Sequence, residues 1–591
     1  MEGLTIGKTA GREKLNKFLP ALERAVFPAL LFLFPLLLIN QGIDITDTTY
    51  SLGNYRYMER MDMMWVLATY LANVAGAALL KLPFGNTLLG MNLYTGLLVS
   101  GLALLCYYKL KKWMPAWLVF AGEITALSLC WSPTTALYHY MTYFFFTAGC
   151  IFLYQALSEE KKRYFVYAGI MLGLNVMVRF PNVMEAALIL AVWFAGWLKH
   201  EKIADTAKKT GYCLAGYIAG VGSILFIIVI KYGAGAFGEM ISSLFGMTAE
   251  ASDYTLGGML SLIGSAYLKG FVWISYMIPC IFAGMILFYI RKGKQERAKK
   301  VLYIAGIAVL LRFYLGQGMF SLRYYNEGSI FQWMMLFLIL TIIFGVADVG
   351  GFLTKDNRVR ILAAIVLIVI VITPIGSNNY TYANMNNLFI AAPYTFWAAW
   401  RLWQKTRGQV FHFPWQAFMI TILAMTLIQG IGFGLTYVFK DGINGEKRDA
   451  QVEGSAVLQG MYTTKENADN LTSLIAYMKK EDMVKEPILI WGDAPGLSYI
   501  LDVPSAIFTT WPEAPSNTSK ALDTALTALD YEPVILWHND GSGYDDAAHE
   551  LSEAEITLGK KKDLIADFIA SHNYECVYEN DFYKVFQASK E

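Results

Sequence analysis

Charge is what this chain has least of. Only 16% of its 591 residues are Asp, Glu, Lys or Arg, against 56% hydrophobic and 15% aromatic. So little charge cannot cover the surface of a soluble protein. The 48 basic and 47 acidic residues nearly cancel, to a formal net charge of +1, which argues against a nucleic-acid partner. Cysteine is scarce too. Of six, Cys106, Cys130, Cys150, Cys213 and Cys280 sit in apolar runs and Cys576 stands alone near the C-terminus, so neither a disulfide framework nor a zinc spacing exists. The six histidines are scattered, with no His-x-x-x-His pair. Internal repeats and low-complexity tracts are missing. "WGDAPG" has the form of a strand-to-helix turn, not of a phosphate-binding glycine loop. "NDGSGYDDAAHE" fails the EF-hand spacing and reads as a solvated acidic loop. Lys8, Arg12, Lys14 and Lys17 precede the first apolar run without a small-residue cleavage site, which predicts a retained first helix.

What the chain has in abundance is apolar runs near twenty residues long, a length matched to a hydrocarbon core of ~30 Å. They fall at about 21–39, 88–108, 114–132, 137–157, 164–180, 182–198, 211–231, 272–290, 301–320, 329–347, 360–375, 388–403 and 415–438. The fold class expected is therefore a polytopic α-helical membrane protein with about thirteen spans. Alternate connections are rich in Lys and Arg: "YYKLKKW", "SEEKKRYF", "LKHEKIADTAKKT", "IRKGKQERAKK", "TKDNRVR" and "WQKTRGQ". By the positive-inside rule these connections and the N-terminus are cytoplasmic. An odd number of spans puts residues 440–591 outside, at the cell (plasma) membrane.

Three outer segments exceed simple turns. Residues 40–87 hold interrupted apolar stretches that suggest helices lying at the interface. Residues 232–271 are rich in Gly and Ser and suggest a flap. The domain division expected is thus a membrane domain over 1–439, carrying the acidic loop 40–87 and the flap, and an outer domain over 440–591. That outer part is more charged. Strand-like "PILIWGD", "SAIFTT" and "PVILWHN" alternate with helical "ALDTALTALDY" and "KKDLIADFIASHNY", and "ECVYENDFYKVFQAS" reads as two strands, so a small α/β domain is predicted.

The chemistry-bearing residues start in "IDITDTTYSLGNY", straight after the first span. Thr46 or Asp47 can cap a helix starting near residue 48, which explains one acid but not both. A carboxylate at the outer face can instead take a proton from an incoming hydroxyl, provided the transition state is loose, as in glycosyl transfer. Two acids alone are too few for a divalent cation, so a metal is possible but no ligand cluster supports it. Arg179 in "VMVRFPN", Arg323 in "FSLRYYNEGS", Arg312 and Lys231 are cations in or beside the spans, where Arg is costly unless paired or functional. The arginine fork suits phosphate oxygens, and the alternative is snorkelling to headgroups. His139 lies at the outer end of a span among aromatics, where a lone His is more often a hydrogen-bonded interface residue than a functional one. Glu123 lies mid-run and is expected to be protonated and bonded to a neighbouring helix.

This pattern resembles the GT-C superfamily of membrane glycosyltransferases, which includes protein O-mannosyltransferases and aminoarabinose transferases. "IDITDTTYSLGNY" occupies the place of that family's acidic motif, with Asp-x-x-Asp where many members have adjacent acids. "TDTTYS" is similar to a "DE-x-x-Y" form, "MVRFPN" to an arginine-containing stretch, and "PILIWGDAPGLSYILDVPSA" to the start of the family's small outer domain. The resemblance implies a transferase that moves sugar from a polyprenyl-phosphate donor to a hydroxyl of an envelope glycan or glycolipid. It implies Asp47, with Asp44 as the other candidate, as the base. Arg179, Arg323, Lys231, His139 and Tyr50 are then the candidate donor-phosphate and substrate-binding residues. A transporter or flippase of lipid-linked glycan, or a non-catalytic envelope scaffold, are the alternatives.

Overall fold

The computed structural model describes residues 19–131, 133–247, 256–290, 295–319, 328–376, 379, 381–441, 446–514, 516–539 and 553–589. A helix stands at each of the thirteen apolar runs. Among the described residues eight are long and apolar enough to cross a membrane: Leu19–Leu36, Leu88–Leu110, Leu137–Glu159, Phe180–Leu198, Ile203–Tyr232, Gly257–Ile290, Ser329–Val349 and Val410–Gly434. The protein is a polytopic helical membrane protein. The other five are Ala116–Leu129, Lys162–Val178, Glu296–Gly316, Asn357–Ile372 and Ala391–Thr406. Four of these are short. The 14 residues of Ala116–Leu129 rise only about 21 Å. Glu296–Gly316 is long enough, but its first turns carry Glu296, Arg297, Lys299 and Lys300.

Helix contacts follow small residues. Gly169 and Gly173 on Lys162–Val178 face Gly216 and Gly220 on Ile203–Tyr232. A side chain on any of the four would strike the partner's backbone, as Gly220 would at the Ile170 carbonyl, 2.6 Å away. Two facing Gly-x-x-x-Gly stripes let the backbones approach where no hydrophobic effect drives association. Lys162–Val178 ends at Arg179, whose extended backbone (φ −154°) leads into a 3-10 helix, Phe180–Leu188, that contains Pro181. Proline has no amide hydrogen, so the helix cannot run through.

The basic connections meet at one end of the bundle. Lys199 donates to the Leu157 carbonyl and pairs with Glu160 at 2.7 Å, and Asn357 bonds the Leu198 carbonyl. The opposite end carries 40–87 and the C-terminal segment. Within 40–87 the helices are Asp47–Arg56, Met63–Ala68 and Tyr70–Leu79. The described parts of 232–271 are helical, with Ala236–Met247 packing on Met63–Ala68 through Met240, Val66 and Leu67. Residues 248–255 fall outside the described set.

The C-terminal segment forms a four-stranded sheet of β1 (Leu489–Trp491), β2 (Ile535–His538), β3 (Tyr574–Glu579) and β4 (Tyr583–Ala588), in the order β1-β2-β4-β3. β1 and β2 are parallel; the other pairs are antiparallel. "SAIFTT" is not a strand. Ser505 makes one isolated bridge to Ile488, then its hydroxyl turns the chain by donating to the Thr509 carbonyl at 2.7 Å. A serine that satisfies the local backbone competes with a sheet ladder.

Strand alternation splits the core of this segment in two. Leu489, Trp491 and Ile535 pack on Ser519–Thr527 and Glu553–Ser571 through Leu522, Leu526, Ile565 and Phe568. Ile490, Leu536 and Val585 face the other way, into a cluster that also holds Ile43, Leu52, Tyr55, Met91 and Leu137. The C-terminal segment therefore shares one continuous core with the acidic loop and the ends of two spans.

Candidate functional site

The acidic loop is pinned on both flanks. Gly42 N–H donates to the Tyr462 carbonyl at 2.8 Å, Tyr462 N–H to the Asn40 carbonyl at 2.9 Å, and Gly496 N–H to the Ile45 carbonyl at 2.8 Å. Gly496 belongs to "WGDAPG", and a side chain there would collide with the Thr49 hydroxyl and the Ile45 carbonyl. Farther along, Arg56 pairs with Asp502 at 2.9 Å, and the Tyr57 hydroxyl donates to the same carboxylate at 2.8 Å. The strand-to-helix turn of the C-terminal sheet thus seats directly on the acidic motif.

Asp44 and Asp47 have different surroundings. Asp44 is 4% exposed. Its Oδ1 accepts from Thr46 N–H at 2.9 Å and the Thr46 hydroxyl at 2.5 Å, and its Oδ2 from Thr48 N–H at 2.7 Å. It is the carboxylate that satisfies amides at the start of Asp47–Arg56. Neither Thr46 nor Asp47 has that role, because Thr46 makes no side-chain cap and Asp47 is the first helical residue. Asp47 is 28% exposed at its side chain and faces Lys440, whose ammonium lies 3.3 Å away. Its position in the first turn also suits the helix dipole.

Lys440 completes the group and was missed by sequence reasoning. It follows the last span and has φ +42°, in the left-handed region. The next residue holds it there. Asp441 is buried, pairs with Arg448 at 3.1 Å, and accepts from the Thr463 hydroxyl at 2.5 Å and Asn467 Nδ2 at 2.8 Å. An unfavourable backbone conformation persists only where its surroundings over-determine it. Burial alone would lower the Lys440 ammonium, but the carboxylates of Asp47, Asp493 and Asp44 outweigh it and hold the pKa above the ordinary lysine value. The Trp511 ring lies 5.9 Å from this ammonium and meets Tyr50 edge-on at 5.4 Å. No local signal marks Lys440, since a lysine after a span reads as an ordinary membrane stop.

Tyr50 thus joins this group, while Arg179, His139 and Lys231 make their contacts elsewhere. Arg179 donates to the Gly376 carbonyl and acts electrostatically on His139 and Glu185. His139 meets the Tyr138 ring at a tilt, with ring centres 4.1 Å apart. Glu185, buried in "NVMEAAL", accepts from Asn175 Nδ2 at 2.9 and 2.8 Å. Lys231 is exposed, 5.0 Å from the Tyr232 ring. Arg323 lies outside the described residues. The two Glu123 carboxyl oxygens, expected to bond a neighbouring helix, have no partner among the described residues. Among those residues no group of three His, Cys, Asp or Glu could hold a metal ion.

Asp44 carries a pH prediction. Burial, helped by the Asp47 charge and opposed by the bonds from Thr46 and Thr48, raises its pKa from 3.8 to about 6. The folded chain therefore binds this proton more tightly than the unfolded chain. The associated stabilisation is complete below about pH 4 and is lost as pH rises through about 6. Relative to Asp44→Asn, which cannot titrate, the wild type should lose about 2 kcal/mol between pH 4 and 7. Thermal midpoints of the two proteins across that range check this. A difference independent of pH would mean that the folded chain does not raise the Asp44 pKa above its unfolded value.

No family model and no curated protein matches the chain. Three solved structures are similar to it in outline. One is the Archaeoglobus fulgidus oligosaccharyltransferase tethered with an acceptor peptide containing the NVT sequon (13% identity, 96% of this chain and 74% of that one, TM-score 0.45). Another is the same organism's AglB in complex with an inhibitory peptide and a dolichol-phosphate (12% identity, 87% and 69%, TM-score 0.44). The third is ArnT from Cupriavidus metallidurans bound to undecaprenyl phosphate (10% identity, 96% and 97%, TM-score 0.39). At such identities and scores the chemistry has to be argued from this chain's own residues.

Proposed function

We propose that this chain is an integral-membrane glycosyltransferase of the GT-C type. It transfers a sugar from a polyprenyl-phosphate donor to a hydroxyl of an envelope glycan or glycolipid. The observation that carries the reading is the Asp47–Lys440 pair, a solvent-reachable carboxylate 3.3 Å from an ammonium. Both groups are held at the junction of acidic loop, last span and C-terminal sheet. Glycosyl transfer from a phosphate can use both charges. As the bond from the anomeric carbon to the phosphate oxygen breaks, negative charge grows on the phosphate, and a fixed cation stabilises it. As the acceptor oxygen bonds to that carbon, its proton passes to the carboxylate. Asp44, with its lone pairs taken up by Thr46 and Thr48, orders the loop.

The choice of a polyprenyl carrier rests on the resemblance of "IDITDTTYSLGNY" and on the membrane setting. The test is sugar transfer by purified protein in lipid nanodiscs, given a panel of polyprenyl-phosphate pentoses and hexoses with hydroxyl acceptors. Release of polyprenyl phosphate is expected with at least one donor. A panel in which no donor is consumed, by transfer or by hydrolysis, would remove the reading.

The basic connections support a site outside the cell, and this has its own test. Cys576 is exposed on β3, so an impermeant maleimide should label the wild-type protein on intact cells. In a Cys576→Ser background, Lys208→Cys, an exposed position in Ile203–Tyr232 near its basic end, should stay unlabelled until the membrane is opened. The opposite pattern would invert the orientation.

A further inference from the structure

Where Ser329–Val349 ends, at the basic end of the bundle, the chain turns through Gly350 and Gly351 before Asn357–Ile372. Gly351 is in the left-handed region, with φ +75°. Two cations converge on it. From the point where a Gly351 side chain would begin, Lys355 Nζ is 3.3 Å away and Arg360 Nη2 is 3.7 Å away. A side chain at 351 would crowd both, so glycine serves the turn and the convergence together. Arg360 is anchored by its Nε and Nη2, which donate to the Val349 carbonyl at 3.2 and 2.9 Å. Lys355 is exposed and makes no hydrogen bond or ion pair among the described residues. The nearest acids along the chain are engaged elsewhere. Asp348 is buried against Arg401 and Tyr394, and Asp356 accepts from Arg358 N–H at 2.9 Å to cap the next helix.

Two like charges held this close without an acid repel each other. An anion whose oxygens reach both removes that cost, and a phosphate is wide enough to bridge two nitrogens that share one point of approach. The surroundings select a lipid as its source. Phe352 is 79% exposed, and its ring lies over Gly350, where a side chain would meet it at 2.6 Å. Gly350 continues one face of the span, which carries the exposed Ile343 and Val346. An exposed apolar stripe thus runs along the span and stops at the two cations. Acyl chain followed by phosphate has the same order. With two cations and no free acid beside them, a choline or ethanolamine headgroup would meet only repulsion, so the matching headgroup is anionic. Lys355 and Arg360 lie at the opposite end of the bundle from the acidic loop, so this is not the place proposed for sugar transfer.

We propose that Lys355 and Arg360 bind the headgroup phosphate of an anionic phospholipid in the leaflet at the basic end, with an acyl chain along Phe352, Val346 and Ile343. This site is independent of the glycosyltransferase reading. The probe is phosphatidylglycerol, titrated in parallel with phosphatidylcholine into the full chain in detergent and followed by native mass spectrometry, which gives a Kd for the first bound lipid. Lys355→Gln removes one charge and breaks no hydrogen bond of the fold, and Lys355→Arg restores the charge. Lys208→Gln, at another exposed lysine of the same end, is the control for general attraction to a basic face. Phosphatidylglycerol should bind the wild type and Lys208→Gln more tightly than phosphatidylcholine does. It should bind Lys355→Gln about tenfold more weakly, a loss of the size of one charge-assisted contact, with recovery in Lys355→Arg. The thermal midpoint should rise with added phosphatidylglycerol in the wild type and less in Lys355→Gln. Equal weakening by Lys355→Gln and Lys208→Gln, or no preference for phosphatidylglycerol, would reduce the pair to part of a basic surface and overturn the proposal. Inorganic phosphate and undecaprenyl phosphate are the competing probes. If either binds through Lys355 more tightly than phosphatidylglycerol, the occupant is a soluble anion or a carrier lipid, and the phospholipid site falls.

Discussion

Replacing Asp47 by Asn is expected to lower sugar transfer by about 10²–10⁴-fold, the range in which a general base contributes. The fold should tolerate the change. Asp44, not Asp47, accepts the amides at the start of Asp47–Arg56. The bond lost is an ion pair between partly exposed groups, 28% and 43% at their side chains, which contributes at most about 1 kcal/mol. Thermal midpoint and detergent-extracted yield should therefore stay near the parent values while turnover collapses. Donor affinity should hold, because in this reading the acid faces the acceptor. Asp44→Asn is the internal control. It weakens the loop's hydrogen bonding yet leaves Asp47 and Lys440 in place, so it should cost far less turnover. If the order is reversed, the base is Asp44. If both single variants and the double variant turn over at the parent rate, the loop is a structural element and the enzymatic reading loses its support.

The second large effect belongs to Lys440. Lys440→Met keeps the length of the side chain and removes its charge. Loss of one fixed cation at a developing anion costs about 10²–10³-fold in turnover. Affinity for polyprenyl phosphate, measured by calorimetry, should fall about 10–100-fold, as for one charge-assisted contact. Lys440→Arg should recover only part of both, because a planar fork does not reproduce a compact ammonium in the same place. The two readouts separate two roles. If turnover falls while phosphate affinity stays, Lys440 acts by holding Asp47 in position. If neither changes, the phosphate lies with Arg179 or Arg323, and the ion pair at Asp47 is incidental.

How much of this could be read along the chain depends on the range of the forces involved. The thirteen apolar runs were legible because solubility in hydrocarbon is a property of about twenty consecutive residues, and each run is a helix. β1, β2 and the final β-hairpin were legible for a similar reason, since alternation and β-branched or aromatic content act locally. "SAIFTT" has that content too, but Ser505 spends its hydroxyl on its own turn, a choice that composition does not reveal. The acidic motif was visible because two carboxylates after a span are unusual in themselves. Which of them caps the helix was not. That depended on whether the chain from Gly42 to Thr48 curls back on Asp44, and the pinning bonds at Gly42 and Ile45 come from Tyr462 and Gly496.

Lys440, Asp441 and Trp511 carry no mark in the sequence. A lysine after a span is ordinary, and only the packing of the C-terminal sheet onto the loop brings it to Asp47. Local sequence determined which segments leave water, since burial of a twenty-residue run outweighs anything a distant residue can offer. Tertiary structure decided which charges meet, because a side-chain ion pair acts over a few ångströms and needs a rigid frame to set its partner there.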